Sequence, residues 1–225
     1  MRKIVVTVLV VVLLVGAAAI ADGVLRGQAE ERVAAEVQQA IPGVTAEPDV
    51  TIEGFPFLTQ VLGEHLTSVR ITAAEATVDG LRLEDVVVRL HDVTTAAPYV
   101  AKTAEMTALA RPDDVQAVLG LEGMELGARE GELVATADVL GVPLDAVMTA
   151  RPEGRDVVVD VTAFELGGFR VESSVLPEDL TAQLQGLRFT ISGLPEGMAL
   201  TEVLLTDDGV RLAAVGRQLS LSAAG

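Results

Sequence analysis

The hydrophobic period of this chain changes several times, and each change marks an element. Residues 4–20 are apolar except for Thr7 and Gly16, and they follow the basic pair Arg2 and Lys3. A basic start, an apolar run and the small-residue pattern Ala19-Ile20-Ala21 are the marks of an export segment. Residues 1–21 are therefore expected to be a signal peptide or an N-terminal membrane anchor. The run is slightly long for the first and short of the ~20 residues usual for the second. In both cases the positive end stays inside, so the remainder is expected to be exported to the periplasm or cell envelope. From Asp22 onward apolar residues recur at every fourth position (Leu25, Ala29, Val33, Val37, Ile41), with Glu30, Glu31, Glu36, Gln38 and Gln39 mostly elsewhere. That spacing predicts a helix over 22–41, capped by Asp22, stopped by Pro42-Gly43 and packed on the protein's own sheet.

Past residue 49 the period falls to two. Val50 and Ile52 lead into Gly54-Phe55-Pro56-Phe57-Leu58-Thr59-Gln60, which holds two of the chain's five phenylalanines. Phe55 is extended because a proline follows it, and Pro56 suits the start of a helix, where its missing N–H costs nothing. Phe57, Leu58, Val61 and Leu62 then share the face of a short helix that Gly63 ends in the left-handed conformation. Read from the residues alone, this is a core-packing corner before it is a ligand contact. Residues 66–72 resume extended structure, and Asp79-Gly80 supplies the positive φ angles of a hairpin turn. Val86, Val88 and Leu90 then face one way, and Val87, Arg89 and His91 the other. Residues 99–109 alternate similarly, with Val100, Ala104, Met106 and Ala108 opposed to Thr103, Glu105 and Thr107.

Pro112-Asp113-Asp114 opens a second short helix closed by Gly120, and Pro177-Glu178-Asp179 a third closed by Gly186: proline first, acids in the first turn, glycine past the end. Further strands are expected at 132–139, 142–151, 156–164, 169–172, 187–192, 200–206 and 210–222. No long helix joins successive strands, which argues against a doubly wound parallel sheet. The expectation is one α+β domain over 22–225. It comprises a mainly antiparallel sheet, an N-terminal helix and three short helices.

Composition narrows the function. Half of the residues are hydrophobic, but tryptophan is absent and tyrosine occurs once, so any core is built from Val, Leu and Ala. The absence of cysteine excludes disulfides, thiol catalysis and cysteine metal sites. The formal charge is −17; without Arg2 and Lys3 the remainder carries 14 basic against 33 acidic side chains, a net −19. Nucleic acid is excluded as a partner for want of a basic footprint, and long-range attraction to an anionic membrane surface is absent. The two histidines, His65 and His91, fit no metal or catalytic motif, and G-x-S-x-G and phosphate-loop patterns are missing. The chain is not expected to be an enzyme or to carry a cofactor or metal. What remains is apolar surface: 86–88, 157–161 and 203–205 are apolar on one face and partly apolar on the other. Such strands suit a cavity for acyl chains and a solid core equally well.

The GFPFLTQ run resembles that of the LmeA-like family of actinobacterial cell-envelope proteins, which bind phospholipids. In that family the run is followed by L-x-x-V-x-V/I-T and a D/G-G-L-x-L strand; here these are Leu66, Val69, Ile71 and Thr72, then Gly80, Leu81 and Leu83. Leu194-Pro195-Glu196-Gly197-Met198 and Asp208-Gly209-Val210 match later parts of the pattern. The resemblance implies a strongly curved, half-barrel or tubular sheet around a hydrophobic tunnel. It implies a secreted or membrane-tethered protein that holds a phospholipid, a phosphoinositide among the candidates, for carriage or presentation in envelope glycolipid assembly. Its partners would be that lipid and the membrane surface. On this reading Phe55, Phe57, Leu58, Val61 and Leu62 at the corner, with Val86, Val88 and Leu90 on the wall, contact acyl chains. Arg70 or Arg82 would meet a headgroup phosphate. The alternative is an exported structural or protein-interaction β-domain with a solid core and no ligand.

Overall fold

A computed structural model describes residues 2–40, 43–119, 124–129, 131–139, 141–175, 186–206 and 208–221, with backbone alone at 2–15, 17, 40, 119 and 139. Helix α1 (Arg2–Ala40) is continuous across the boundary where a separate helix was expected to begin at Asp22. No breaker separates the apolar run from the amphipathic stretch: Ala, Val, Leu and Glu all propagate a helix, and single glycines interrupt it weakly. No helix among the described residues is long and apolar enough to cross a membrane, and most of the run 4–20 lies where only backbone is described. The packed side of α1 is Ala29, Val33 and Ala34; Leu25, expected on that stripe, is exposed. The closing signal at Ile41 and Pro42 lies outside the described residues.

Among the described residues, twelve antiparallel strands divide between two open sheets, where a single dominant one was expected. Sheet A has the order β1 (Asp49–Glu53), β2 (His65–Val78), β3 (Leu81–Thr94), β4 (Val100–Ala110), β12 (Gly209–Ser220), β11 (Met198–Thr206). Sheet B is inserted between β4 and β11, in the order β10 (Leu187–Thr190), β8 (Asp156–Leu166), β7 (Val142–Glu153), β6 (Glu132–Val139), β5 (Met124–Arg129). A short β9 (Phe169–Glu172) shares the outer edge of β8 with β10: β10 pairs residues 156–159 and β9 pairs 163–166. Neither sheet closes into a barrel among the described residues. Strand β5 escaped the sequence pattern because Gly127 and Ala128 interrupt its alternation. The two shorter helices with described bounds are α2 (Phe57–Leu62) and α3 (Pro112–Leu119). The helix expected at 177–186 lies outside the described residues except for Gly186.

In sheet A, Ile52, Val69, Leu90, Ala104, Gly216 and Met198 stand in register across all six strands. Gly216 has no alternative there, because a Cβ would come 2.7 Å from Met198 Cγ and 2.4 Å from Leu219 Cδ1. The alternation along β2 and β3 is re-phased twice. Asp85 and Asp92 take left-handed φ values of 50° and 49°, a conformation Asp tolerates better than most residues. The buried side of β3 thus moves from Leu81 and Leu83 to Val86 and Leu90, then to Val93. Strand β2 shifts with it, since Ala76, Ala73, Val69 and Leu66 stay opposite Leu83, Val86, Leu90 and Val93. On β4 the buried residue nearest the start is Ala101, where Val100 was expected.

A single apolar cluster contains the inner residues of both sheets, with β11 lying against β7. The sheets are stitched where the β7–β8 turn meets the entry to β11. Leu200 N donates to Gly154 O at 2.7 Å and Ile191 N to Arg155 O at 3.0 Å. The Arg155 guanidinium donates to the carbonyls of Ser192 and Leu194. Gly193 N donates to the Asp79 carboxylate at 2.9 Å, tying the same segment to the β2–β3 turn.

The opposite face of sheet B is laced with ion pairs: Arg129 with Asp145, Arg151 with Asp160, Arg170 with Glu165 and Glu172, Arg188 with Glu153 and Asp156. Arg188 holds the Glu153 carboxyl below its ordinary range by a hydrogen bond and by its charge. The Thr190 hydroxyl, and after it Arg188, lowers Asp156 against the opposing effect of desolvation. Carboxylates lowered in the folded state stabilise it above their unfolded pKa, and that contribution is lost as pH falls through the lower folded values. Arg188→Met is therefore expected to lower the unfolding midpoint at neutral pH. The gap to the parent should close as pH drops below the ordinary carboxylate range of about 4, measured by thermal melts across pH; a gap independent of pH would contradict the pairing.

Candidate lipid-binding surface

Each residue of the GFPFLTQ run has an assigned task in the corner. Gly54 sits at φ +99°, and a Cβ on it would come 2.8 Å from Gln60 Nε2. The Phe55–Pro56 peptide is cis, and Pro56 (φ −74°, ψ 142°) precedes the first residue of α2. The α2 N-terminus is capped from a distance: Phe57 N donates to Asp22 Oδ2 at 2.9 Å and Leu58 N to Asp22 Oδ1 at 2.7 Å. Asp22, expected to open a helix, instead lies within α1, 3% exposed, and caps a different one. The Thr59 hydroxyl donates to Pro56 O at 2.8 Å. The Gln60 amide bridges the flanking strands, giving a hydrogen bond to Glu53 O at 3.3 Å and taking one from Thr67 N at 2.8 Å. Gly63 does not terminate α2 in the left-handed region; its φ is −81°, and Glu64 takes that conformation at φ 59°. Glu64 is held there because its carbonyl accepts from Thr95 N at 3.1 Å, closing the corner onto the end of β3.

The residues expected to line a ligand site do not converge. Phe57 points inward, 7% exposed, and joins the same apolar cluster as Val86, Val88 and Leu90 on the inner face of sheet A. Phe55 and Leu62 are 71% and 83% exposed, and Leu58 and Val61 share their outward side. An amphipathic turn cannot direct all of its apolar residues into one interior, and only Phe57 faces the core. Arg70 lies on the outer face of sheet A, in register with Thr51 and Arg89, and pairs with Glu53 at 3.0 Å. Arg82, near the β2–β3 turn, is held by Glu75, whose hydrogen bond and charge raise its pKa. Both arginines named for a headgroup therefore already have a carboxylate partner.

An extended apolar surface lies on sheet B, where the sequence reading chose no site residue. Antiparallel partners share a face, so the register gives its rows directly. Leu133, Met148 and Val161 form a buried row. The next holds Ala135, Ala146, Phe164 and Val171; the one beyond it Ala137, Leu144, Leu166 and Phe169. A bulge in β8 at Thr162 keeps Phe164 on the same face as Val161, and the Thr162 hydroxyl donates to Val147 O at 3.1 Å. Exposure rises along these rows until Phe169 is 80% open, with Leu166, Val171 and Val142 also exposed at the same end. The face is thus continuous with the core at one end and uncovered at the other. Three of the five phenylalanines (Phe164, Phe169 and Phe189) are on it, and their concentration over residues 164–189 was the signal available in the sequence.

A family model described as LmeA-like phospholipid-binding matches residues 20–215. No curated protein and no solved structure matches the chain. The matched span begins just before Asp22 and takes in both the corner and the apolar face of sheet B.

Removing the Asp22 carboxylate leaves two N–H groups at the α2 start without their acceptor, at a cost of about 1–3 kcal/mol per unsatisfied buried group. Asp22→Ala is expected to lower stability by about 2–4 kcal/mol, less than two full penalties because the Leu58 N–H is only part-buried, with Asp22→Asn closer to the parent because its amide oxygen still accepts. Denaturant unfolding of the full chain measures both; equal stability of Asp22→Ala and parent would show that the cap is dispensable.

Proposed function

Because the chain belongs to the LmeA-like phospholipid-binding family, we propose that it holds a phospholipid by its acyl chains against the apolar face of sheet B. The observation that carries this reading is the unbroken sequence of apolar rows from the buried core out to Leu166, Phe169 and Val171. Acyl chains require area and contact with hydrocarbon-like side chains, and an open β face of Val, Leu, Ala and Phe supplies both. In this reading the inner face of sheet A, with Val86, Val88 and Leu90, backs the covered part of the site. A tunnel between the two sheets would need them to curve around the chains. The headgroup, phosphoinositide or other, stays at the wet rim beside Phe169. The opposite face of sheet B, where ion pairs surround the buried Val134, Val147, Val158 and Ala163, takes no part in holding the chains.

The mechanism is exchange between two apolar media. Burying a CH₂ is worth about 0.8 kcal/mol only relative to water, so moving a chain from bilayer to protein is close to neutral and reversible. That balance suits a carrier or a presenting protein in envelope glycolipid assembly, exported and tethered by residues 4–20. A binding role also follows more naturally from the family than a catalytic one.

The test compares the full chain with a Phe169→Asp, Val171→Asp double variant. Both side chains are exposed on a short edge strand, so the fold is expected to survive, as circular dichroism can verify. Organic extraction and mass spectrometry are expected to find phospholipid on the parent and most of it lost from the variant, while lipid clinging to residues 4–20 remains in both. Equal phospholipid on a folded variant would remove sheet B as the site. A parent that yields no bound phospholipid would favour the solid-core structural domain.

A further inference from the structure

The exposed side of the corner remains unexplained by lipid held on sheet B. Phe55, Leu58, Val61 and Leu62 point outward there, and the last three have the i, i+3, i+4 spacing of a single helix face. On α1, which contacts α2, Leu25 is exposed on the side near Asp22, and Ile20 and Val24 are exposed at the same height on the far side of the helix. Scattered apolar residues on a surface are ordinary, but four gathered on one side of a single corner mark an interaction surface.

Two further features say what covers it. The first is that several polar groups of the corner are paired internally. Asp22 takes the N–H groups of Phe57 and Leu58, Thr59 serves the Pro56 carbonyl, and Gln60 serves Glu53 and Thr67. Each group so paired enters an apolar medium without losing a hydrogen bond to water. The second is position. Residues 4–20 contain no charged side chain and belong to the same unbroken helix that carries Asp22. At 1.5 Å per residue the run is about 26 Å long, somewhat less than the ~30 Å hydrocarbon core of a bilayer. A run that falls short draws the residues at its end toward the interface, and these are Ile20, Val24 and Leu25. Asp22 lies among them and pins α2 at the same level.

We propose that the corner is an insertion foot, with α2 lying in the interfacial hydrocarbon of the membrane beside the end of the apolar run. It rests on the tethering of residues 4–20 in a bilayer and goes beyond the ligand site on sheet B. With a helix through the membrane and a foot beside it, the domain has two attachments and therefore a fixed orientation. The foot is apolar and the exported part strongly acidic, so insertion needs no anionic lipid and is not strengthened by it.

The chain has no cysteine, so a single introduced thiol reports one place. The full chain carrying Leu62→Cys is labelled with an environment-sensitive dye and reconstituted in phosphatidylcholine vesicles, with and without lipids bearing a nitroxide on the acyl chain. Asp208→Cys, exposed at the β11–β12 turn at the other end of sheet A, is the control. A blue shift and nitroxide quenching at position 62, neither at position 208, and the same result with phosphatidylglycerol added are the expected outcome. Adding Leu62→Asp to a chain labelled through Leu58→Cys is expected to abolish the quenching while residues 4–20 keep the protein on the vesicle. Dye at position 62 open to aqueous iodide would overturn the foot. A blue shift that grows with protein-to-lipid ratio without nitroxide quenching would also overturn it, assigning the surface to a second copy of the chain. The phospholipid content of each variant, measured separately by mass spectrometry, distinguishes failure of the foot from failure of the ligand site.

Discussion

One carboxylate governs how this molecule is put together. Asp22 lies within a long helix, almost fully buried, and both of its oxygens accept from the first N–H groups of a short helix 35 positions on. A helix of six residues is too short to be stable alone, and a buried anion is costly without partners. Each removes the other's difficulty. The carboxylate meets the positive end of α2, and α2 gains the cap that Pro56 cannot provide. The same bond fixes α1 to the edge of sheet A, where Glu30 also accepts from Ile52 N at 2.8 Å and occupies an edge donor of β1. Acidic side chains of α1 thus serve as backbone acceptors, which gives part of the large acidic excess a structural use.

The two sheets solve different problems. Sheet A is long, and its strands keep one apolar face only because their alternation is re-phased at Asp85 and Asp92. Had β3 alone shifted, the opposing rows on β2 would have turned to solvent; both strands shift together, so the pairing survives. Sheet B is an excursion from that frame, apolar on one face, with ion pairs around a buried strip of Val134, Val147, Val158 and Ala163 on the other. Its arginines are engaged by neighbouring carboxylates in exposed pairs, each of which contributes little to stability. Their consequence is electrostatic: they leave few free cations to attract an anionic surface. Apolar contact is then the means by which such a protein engages lipid.

Much of the architecture was legible in the sequence because it rests on local chemistry. The hairpin at Asp79-Gly80, the helix opened by Pro112-Asp113-Asp114 and the strands near 132–172 and 200–220 follow from turn residues and period alone. The corner was recognisable for the same reason, since Gly54, Pro56 and Gln60 each restrict backbone or close a loop within a few residues. The candidate site was less legible. Leu58, Val61 and Leu62 were given one core-packing face with Phe57 by their helical spacing, and Phe55 joined them through the family resemblance; neither indicates which way that face turns. Leu144, Phe164, Leu166, Phe169 and Val171 belong to three strands and look unremarkable one strand at a time. Their common face is a property of pairing.

The sequence by itself determined an antiparallel α+β chain, its acidic balance, its lack of thiol chemistry and the corner that marks its family, because each depends on residues close together along the chain. The tertiary structure alone decided that the strands divide into two sheets, that Asp22 caps a helix far from its own position, and which apolar residues stay uncovered. These depend on register and on contacts between distant segments, and a one-residue shift in pairing reverses every face without changing a letter of the sequence.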